Sequence, residues 1–229
     1  STLLASIIRE ILENPEADSH IVTFESPIEF VYDKVPTVSC EIDQSAVPEH
    51  VSSFPEGVRN ALRRDPDVIL IGEARDAETI KATVLAAQTG HAVYTTLHSN
   101  SVATTFLRLI QAVPQTEALS IMGSLIDTVR VVISQQLVPS TDGRRCAVRE
   151  FLVFTDEIRQ DLLGTAVKNL SLLPLRAGEL VRVHGQTMGQ HAQELMRKKR
   201  ITEEHANLIA AAEQASWDSM QRYEAVPHG

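Results

Sequence analysis

Apolar residues recur over the first dozen positions at Leu3, Leu4, Ile7, Ile8, Ile11 and Leu12, the spacing that lines one face of a buried helix. Asn14-Pro15 stops it, because proline offers no backbone donor and restricts the residue before it. A short apolar run follows, Ile21-Val22-Thr23-Phe24, and ends at Glu25. Two later runs have the same form: Val68-Ile69-Leu70-Ile71 leads into Gly72-Glu73-Ala74-Arg75-Asp76, and Ala92 to Leu97 ends at His98. Pro55 suits a first helical turn, and Val58, Ala61 and Leu62 predict a short helix ending near Asp65-Pro66. Asp76 is placed to cap a helix to about Gln88, with Glu78 near its positive end and Gly90 at its exit. This alternation of strands and helices with short connections predicts an α/β fold, a parallel sheet wrapped by crossover helices. The polar, proline-punctuated stretch 27–55 carries at most one short strand, around 36–42.

Farther along, Ser99 or Asn100 caps a helix bearing Phe106, Leu107 and Ile110 as far as Pro114, and another helix is expected over 116–127. Strand-like runs at 129–138 and 145–154 flank the turn cluster Ser140-Thr141-Asp142-Gly143 and predict a β-hairpin. Beyond Asp156 the period is helical, with segments at 188–199 and 203–223, the latter capped by Thr202. The expected organisation is an α/β core over 1–155 and a small helical appendage over 156–229.

The chain has 229 residues, 43% of them apolar, enough for a substantial core. A net charge of -9 and a pI near 5.4 argue against stable nucleic-acid binding, which draws on neutralisation of phosphates by Lys and Arg. Cys40 and Cys146 match neither a zinc pattern nor a disulfide framework, so a reducing cytoplasm is expected. No run approaches the roughly 18 apolar residues of a membrane span, and any membrane contact is expected to be peripheral.

The chemistry gathers where three strands end, at Glu25, Glu73 and His98, because ligands of open parallel sheets bind outside the carboxyl ends of the strands. A carboxylate beside an apolar strand needs solvent, an ion pair or a cation. For Glu73 the partner is either Arg75 or a phosphate-bound magnesium ion. Glu25 is suited to orient or deprotonate an attacking water, whereas Glu29 reads as solvated loop charge. His98 can hydrogen-bond a terminal phosphate. His91 reads as a structural histidine. Were 92–97 one strand, it would lie roughly 20 Å from His98 at about 3.3 Å per residue, which weakens a rival metal-hydrolase centre of His91, His98, Glu25 and Glu73. Arg59, Arg63, Arg64 and Arg75 are candidate phosphate or subunit contacts, or else surface ion pairs. No glycine-rich phosphate loop occurs inside the chain. Ser1-Thr2, just ahead of a buried helix, reads as the end of a G-x-x-x-x-G-K-[ST] loop whose Gly-Lys is expected immediately upstream.

Four segments carry a family resemblance: Ser1-Thr2-Leu3-Leu4-Ala5 to the end of a Walker A motif, Phe24-Glu25-Ser26-Pro27-Ile28-Glu29-Phe30 to an Asp box, 61–80 to a Walker B region, and Thr89-Gly90-His91 through Leu97-His98-Ser99-Asn100 to a His box. In order and spacing the chain resembles the secretion and pilus-motor ATPases, in particular the DotB/TraJ-type branch of type IVB secretion and conjugation. The resemblance implies a RecA-like P-loop NTPase core lacking an N-terminal domain and most of the P-loop. It implies ATP and Mg2+ as cofactors, with Glu25 as general base, Glu73 as the Walker B carboxylate near magnesium, directly or through water, His98 as the γ-phosphate contact and Ser1 as a magnesium-ligating hydroxyl. Thr2, Arg63 and Arg75 are further candidates for nucleotide contact. It also implies a homo-hexamer, cytoplasmic and peripherally associated with the inner membrane, working with secretion, conjugation or pilus components there. Ser26 stands where the family's Asp box usually has a second acid, and the four-cysteine zinc segment of assembly-type ATPases is absent. Without the Walker A Gly and Lys, the 229 residues by themselves are expected to bind ATP weakly. Two other classes remain open, a non-hydrolysing ring adaptor and a DNA-translocating RecA-like motor.

Overall fold

The computed structural model describes residues 2–224. They form two compact units, one running up to Leu97 and including Ala112–Pro114, the other comprising His98–Gln111 and the chain from Gln115 onward.

The first unit contains α1 (Thr2–Glu13), β1 (His20–Glu25), β2 (Glu41–Ala46), α2 (Phe54–Ala61), β3 (Val68–Ile71), α3 (Ala77–Gln88) and β4 (Ala92–Thr95). Its strands make one parallel sheet in the order β2-β1-β3-β4, with Phe24 opposite Ile71 and Ile71 opposite Thr95. The period of two along each strand sorts the side chains between the two faces. Ile21, Val68, Leu70 and Tyr94 pack with Ile8 and Leu12 of α1, while Val22, Phe24, Ile69 and Ile71 pack with Val58, Ala61, Ala82 and Ala86 of α2 and α3. Both faces are covered, which is why β1 and β3 read as apolar runs rather than alternating ones. Asp76 caps α3 through its carboxylate to the Thr79 N–H, and Gly90 leaves the helix region at φ +101°, both as the sequence predicted.

Three elements differ from expectation. The strand sought at 36–42 lies at 41–46; as an edge strand it is covered on one side only, so Glu41, Asp43 and Gln44 gave no apolar run. β4 ends at Thr95 because the next residue turns its hydroxyl and carbonyl to the neighbouring chain segment at Gly72 and Ala74. α2 stops at Ala61, so Arg63 and Arg64 sit in the turn behind it rather than on the helix.

The second unit contains α4 (Val102–Ala112) apart from its last residue, α5 (Gln115–Thr128), β5 (Val131–Pro139), β6 (Arg145–Val153), α6 (Asp156–Lys168), α7 (Leu173–His184), α8 (Met188–Arg197) and α9 (Glu203–Glu224). The predicted hairpin is present, β5 against β6 from Val131↔Val153 to Pro139↔Arg145. Its inward residues Val138, Cys146 and Val148 share a core with Met188, Ala192, Ile201, Ala206 and Ile209. A two-stranded sheet cannot bury its own apolar face. The hairpin therefore shares one core with α8 and α9, within the compact unit that includes the chain from Gln115 onward. Thr202 takes up its predicted cap position, accepting from the His205 N–H. Among the described residues no helix is long and apolar enough to cross a membrane.

Candidate active site

The parallel register of β1 and β3 sets Glu25 beside Gly72 at their carboxyl ends. The Gly72 N–H donates to the Phe24 carbonyl at 2.7 Å. A Cβ at Gly72 would stand 3.2 Å from that carbonyl oxygen and 3.4 Å from the Glu25 Cα, so a glycine permits the approach. On the other side the Thr96 hydroxyl donates to the Gly72 carbonyl at 2.5 Å, and the Ala74 N–H donates to the Thr96 carbonyl at 3.0 Å. The ends of β1, β3 and β4 are thus stitched together around the residue that precedes Glu73.

Glu25 is half-buried, and its Oε1 accepts from the Thr23 hydroxyl at 2.8 Å and from Gln44 Nε2 at 3.0 Å. Burial, and then the nearby Glu25 charge, push the Tyr32 hydroxyl above its ordinary value, so the carboxylate and the phenol are electrostatic neighbours. The Tyr32 hydroxyl donates to the Ala5 carbonyl in the first half of α1 at 3.4 Å. The chain runs down α1 and returns along β1, which carries the carboxyl end of β1 back toward the start of that helix. Thr2 opens α1, and helix N-termini present unpaired N–H groups to anions. Ser1, the candidate magnesium ligand, lies outside the described residues.

Glu73 is largely covered, its side chain 17% exposed, and it accepts from Nε of the exposed Arg75. The ion-pair partner that the sequence offered for Glu73 is therefore present, and it holds Arg75 at the rim. Arg63 lies elsewhere. It follows α2 and precedes β3, at the amino end of the sheet, where its neighbour Arg64 pairs with Asp43 at 2.5 Å. The length of the strands separates it from Glu25 and Glu73 within this unit. His91 also precedes its strand; its Nδ1 lies 3.0 Å from the Ala86 carbonyl and 3.1 Å from the Thr89 hydroxyl, a structural role at the end of α3.

His98 is exposed and begins the second unit. Behind it, Thr104 Oγ1 accepts from the Ser101 N–H at 3.0 Å, Ser99 and Thr105 share a hydroxyl bond of 2.7 Å, and buried Glu150 accepts from the Val102 N–H at 2.6 Å. The segment leaving His98 is thereby held by α4 and β6. Among the described residues no three His, Cys, Asp or Glu side chains converge as a metal-ligand set. The two carboxylates at the rim and the N–H groups of the α1 terminus instead fit a hard cation carried by phosphates, since magnesium binds through one or two carboxylates plus phosphate oxygens. Sequence reading missed Gln44, which lies in the polar stretch without a pattern; Thr23 was legible only as the residue two before Glu25, hence on its face.

A family model described as type II/IV secretion system protein matches residues 1–220. The chain belongs to that family. The type IV pilus retraction ATPase PilT of Pseudomonas aeruginosa is 40% identical over 159 residues, 69% of this chain and 45% of PilT. A twitching motility protein of Neisseria gonorrhoeae is 37% identical over 207 residues, 90% of this chain and 53% of its own length. Among solved structures, the ATPase DotB of Legionella pneumophila superposes with a TM-score of 0.87 at 45% identity, over 92% of this chain and 56% of DotB. The pilus retraction motor PilT with bound ADP gives 0.75 at 33% identity, over 90% of this chain and 56% of that one. The chain thus spans about half the length of the curated relatives it matches. As a type II/IV secretion family member it has the RecA-like α/β fold that the resemblance implied.

Proposed function

We propose that the full-length protein hydrolyses ATP and acts as the motor of a type IV secretion, conjugation or pilus machine, as a hexameric ring on the cytoplasmic side of the inner membrane. The observation that carries this reading is the delivery of Glu25 and Glu73, by adjacent parallel strands, to one rim beside the start of α1. Glu25 is the general base: two donors fix its Oε1, and Oε2 takes the proton from the attacking water. Glu73 would help to hold magnesium, directly or through water. Arg75, drawn to Glu73 here, is positioned to exchange that partner for phosphate oxygens. Ser1 would supply a magnesium-ligating hydroxyl, Thr2, which opens α1, would offer its N–H to phosphate, and His98 would donate to the terminal phosphate. Bound magnesium contributes charge neutralisation on the phosphates. In the family's ring, loss of that phosphate would bias a domain closure and so perform work.

The test is Glu25→Gln and Glu73→Gln in the full-length protein, with nucleotide binding and turnover measured separately. Both variants should bind ATP, and turnover should fall about a hundredfold or more, the usual contribution of a general base. Wild-type turnover in Glu25→Gln would refute the assignment. Retained function of the machine without turnover would favour the ring adaptor. Salt-sensitive DNA binding by the full-length protein would favour the translocase.

A further inference from the structure

We infer that Gln44, together with Thr23, is a positioning residue that locks the general base Glu25, an inference resting on the role just proposed for that glutamate. Thr23 and Gln44 are register partners on β1 and β2, so their side chains emerge side by side, and Glu25 follows two residues along on the same face as Thr23. Thr23 is fully buried, and its hydroxyl donates to Glu25 Oε1 at 2.8 Å, the acceptor that such a hydroxyl needs away from water. Gln44 uses both ends of its amide. Its Nε2 donates to Glu25 Oε1 at 3.0 Å and to the Phe30 carbonyl at 2.8 Å, while its Oε1 accepts from the Tyr32 N–H at 3.1 Å.

Those three partners fix the orientation of the amide. A flip would set its carbonyl against a carboxylate and a carbonyl, and its NH2 against an N–H. Glu25 Oε1 is therefore held by two donors from two strands, and the carboxylate is tied to the 30–32 segment, whose Tyr32 reaches Ala5 of α1. A base gains from such locking because a reacting group displaced by about 1 Å can lose on the order of a hundredfold in rate. Glutamine fits this place by its length and its two-sided amide. Asparagine is one methylene shorter, and glutamate would bring a second carboxylate onto Glu25.

The experiment uses the full-length protein with Thr23→Val, Thr23→Ser, Gln44→Asn and Gln44→Glu, each also combined with Glu25→Gln. Thr23→Val keeps the buried shape and removes only the hydroxyl, so it carries the test even if a Gln44 variant fails to fold. Thr23→Val and both Gln44 variants should lower kcat by about ten- to a hundredfold with KM for ATP within about twofold, and Thr23→Ser should restore turnover. In the Glu25→Gln background the same changes should add nothing, because the group they position is gone. Wild-type kcat in Thr23→Val and Gln44→Glu would overturn the inference, as would a loss confined to KM or a loss of equal size without Glu25. If Glu25→Gln alone keeps full turnover, the assignment of the base has failed and the inference with it; if Glu25→Gln is inactive while the neighbours are silent, only the inference has failed.

Discussion

Gly72→Ala tests the closeness of the strand ends on which the site depends. The new Cβ would meet the Phe24 carbonyl oxygen at 3.2 Å and the Glu25 Cα at 3.4 Å, so the backbone of β1 must yield by a few tenths of an ångström. Overpacking of this kind costs about 1–3 kcal/mol, offset by about 0.4–1 kcal/mol from the stiffer unfolded chain, so the net destabilisation should be about 1 kcal/mol. The effect on turnover follows from the same displacement. If about 1 Å of misplacement costs about a hundredfold, a shift of about 0.3 Å carried to Glu25 costs about fourfold on a logarithmic scale. The assay is steady-state ATP hydrolysis by the full-length protein beside its thermal melting curve. Gly164→Ala serves as control, since a Cβ there meets nothing within 4 Å in the interior of α6. Gly72→Ala with wild-type turnover and an unchanged Tm would refute the claim that this contact sets the position of Glu25.

Two predictions concern the second unit. Arg159 is buried and donates to the Asp127 carbonyl at 3.2 Å, the Phe154 carbonyl at 2.6 Å and the Val129 carbonyl, closing the end of α5 and the end of β6. Arg159→Met should therefore cost about 3–5 kcal/mol, with Arg159→Lys recovering only part because an ammonium cannot fork to three acceptors; the fluorescence of the single tryptophan, Trp217, in the same unit reports the urea midpoint, and a shift no larger than that of an exposed arginine would refute it. Burial raises the Glu150 carboxyl above its ordinary value of 4.5, against the opposing hydrogen bond from Val102, so the folded protein holds this proton more tightly than the unfolded one. Stability contributed here falls as pH rises from 4.5 through the raised folded value; Glu150→Gln, which keeps an acceptor for the Val102 N–H, should flatten that fall, and parallel Tm-against-pH curves for variant and wild type would disprove it.

The amino-acid order by itself determined the elements whose burial is strong and local. The runs 21–24 and 68–71 are covered on both faces and so appear as uninterrupted apolar stretches, and the cap at Asp76 and the turn at 140–143 are written in neighbouring residues. It also placed Glu25 and Glu73 at strand ends, because a strand's polarity fixes which end its last residue occupies. What only the tertiary structure decided are pairings between distant segments: that β2 adds to the edge beside β1 and brings Gln44 to Glu25, that Arg63 falls at the amino end of the sheet, and that the hairpin shares its core with α8 and α9. A polar edge strand has no periodic signature, and a hairpin's choice of apolar partner depends on shape complementarity across dozens of intervening residues. Local pattern therefore names the chemical groups, and long-range packing sets which of them meet.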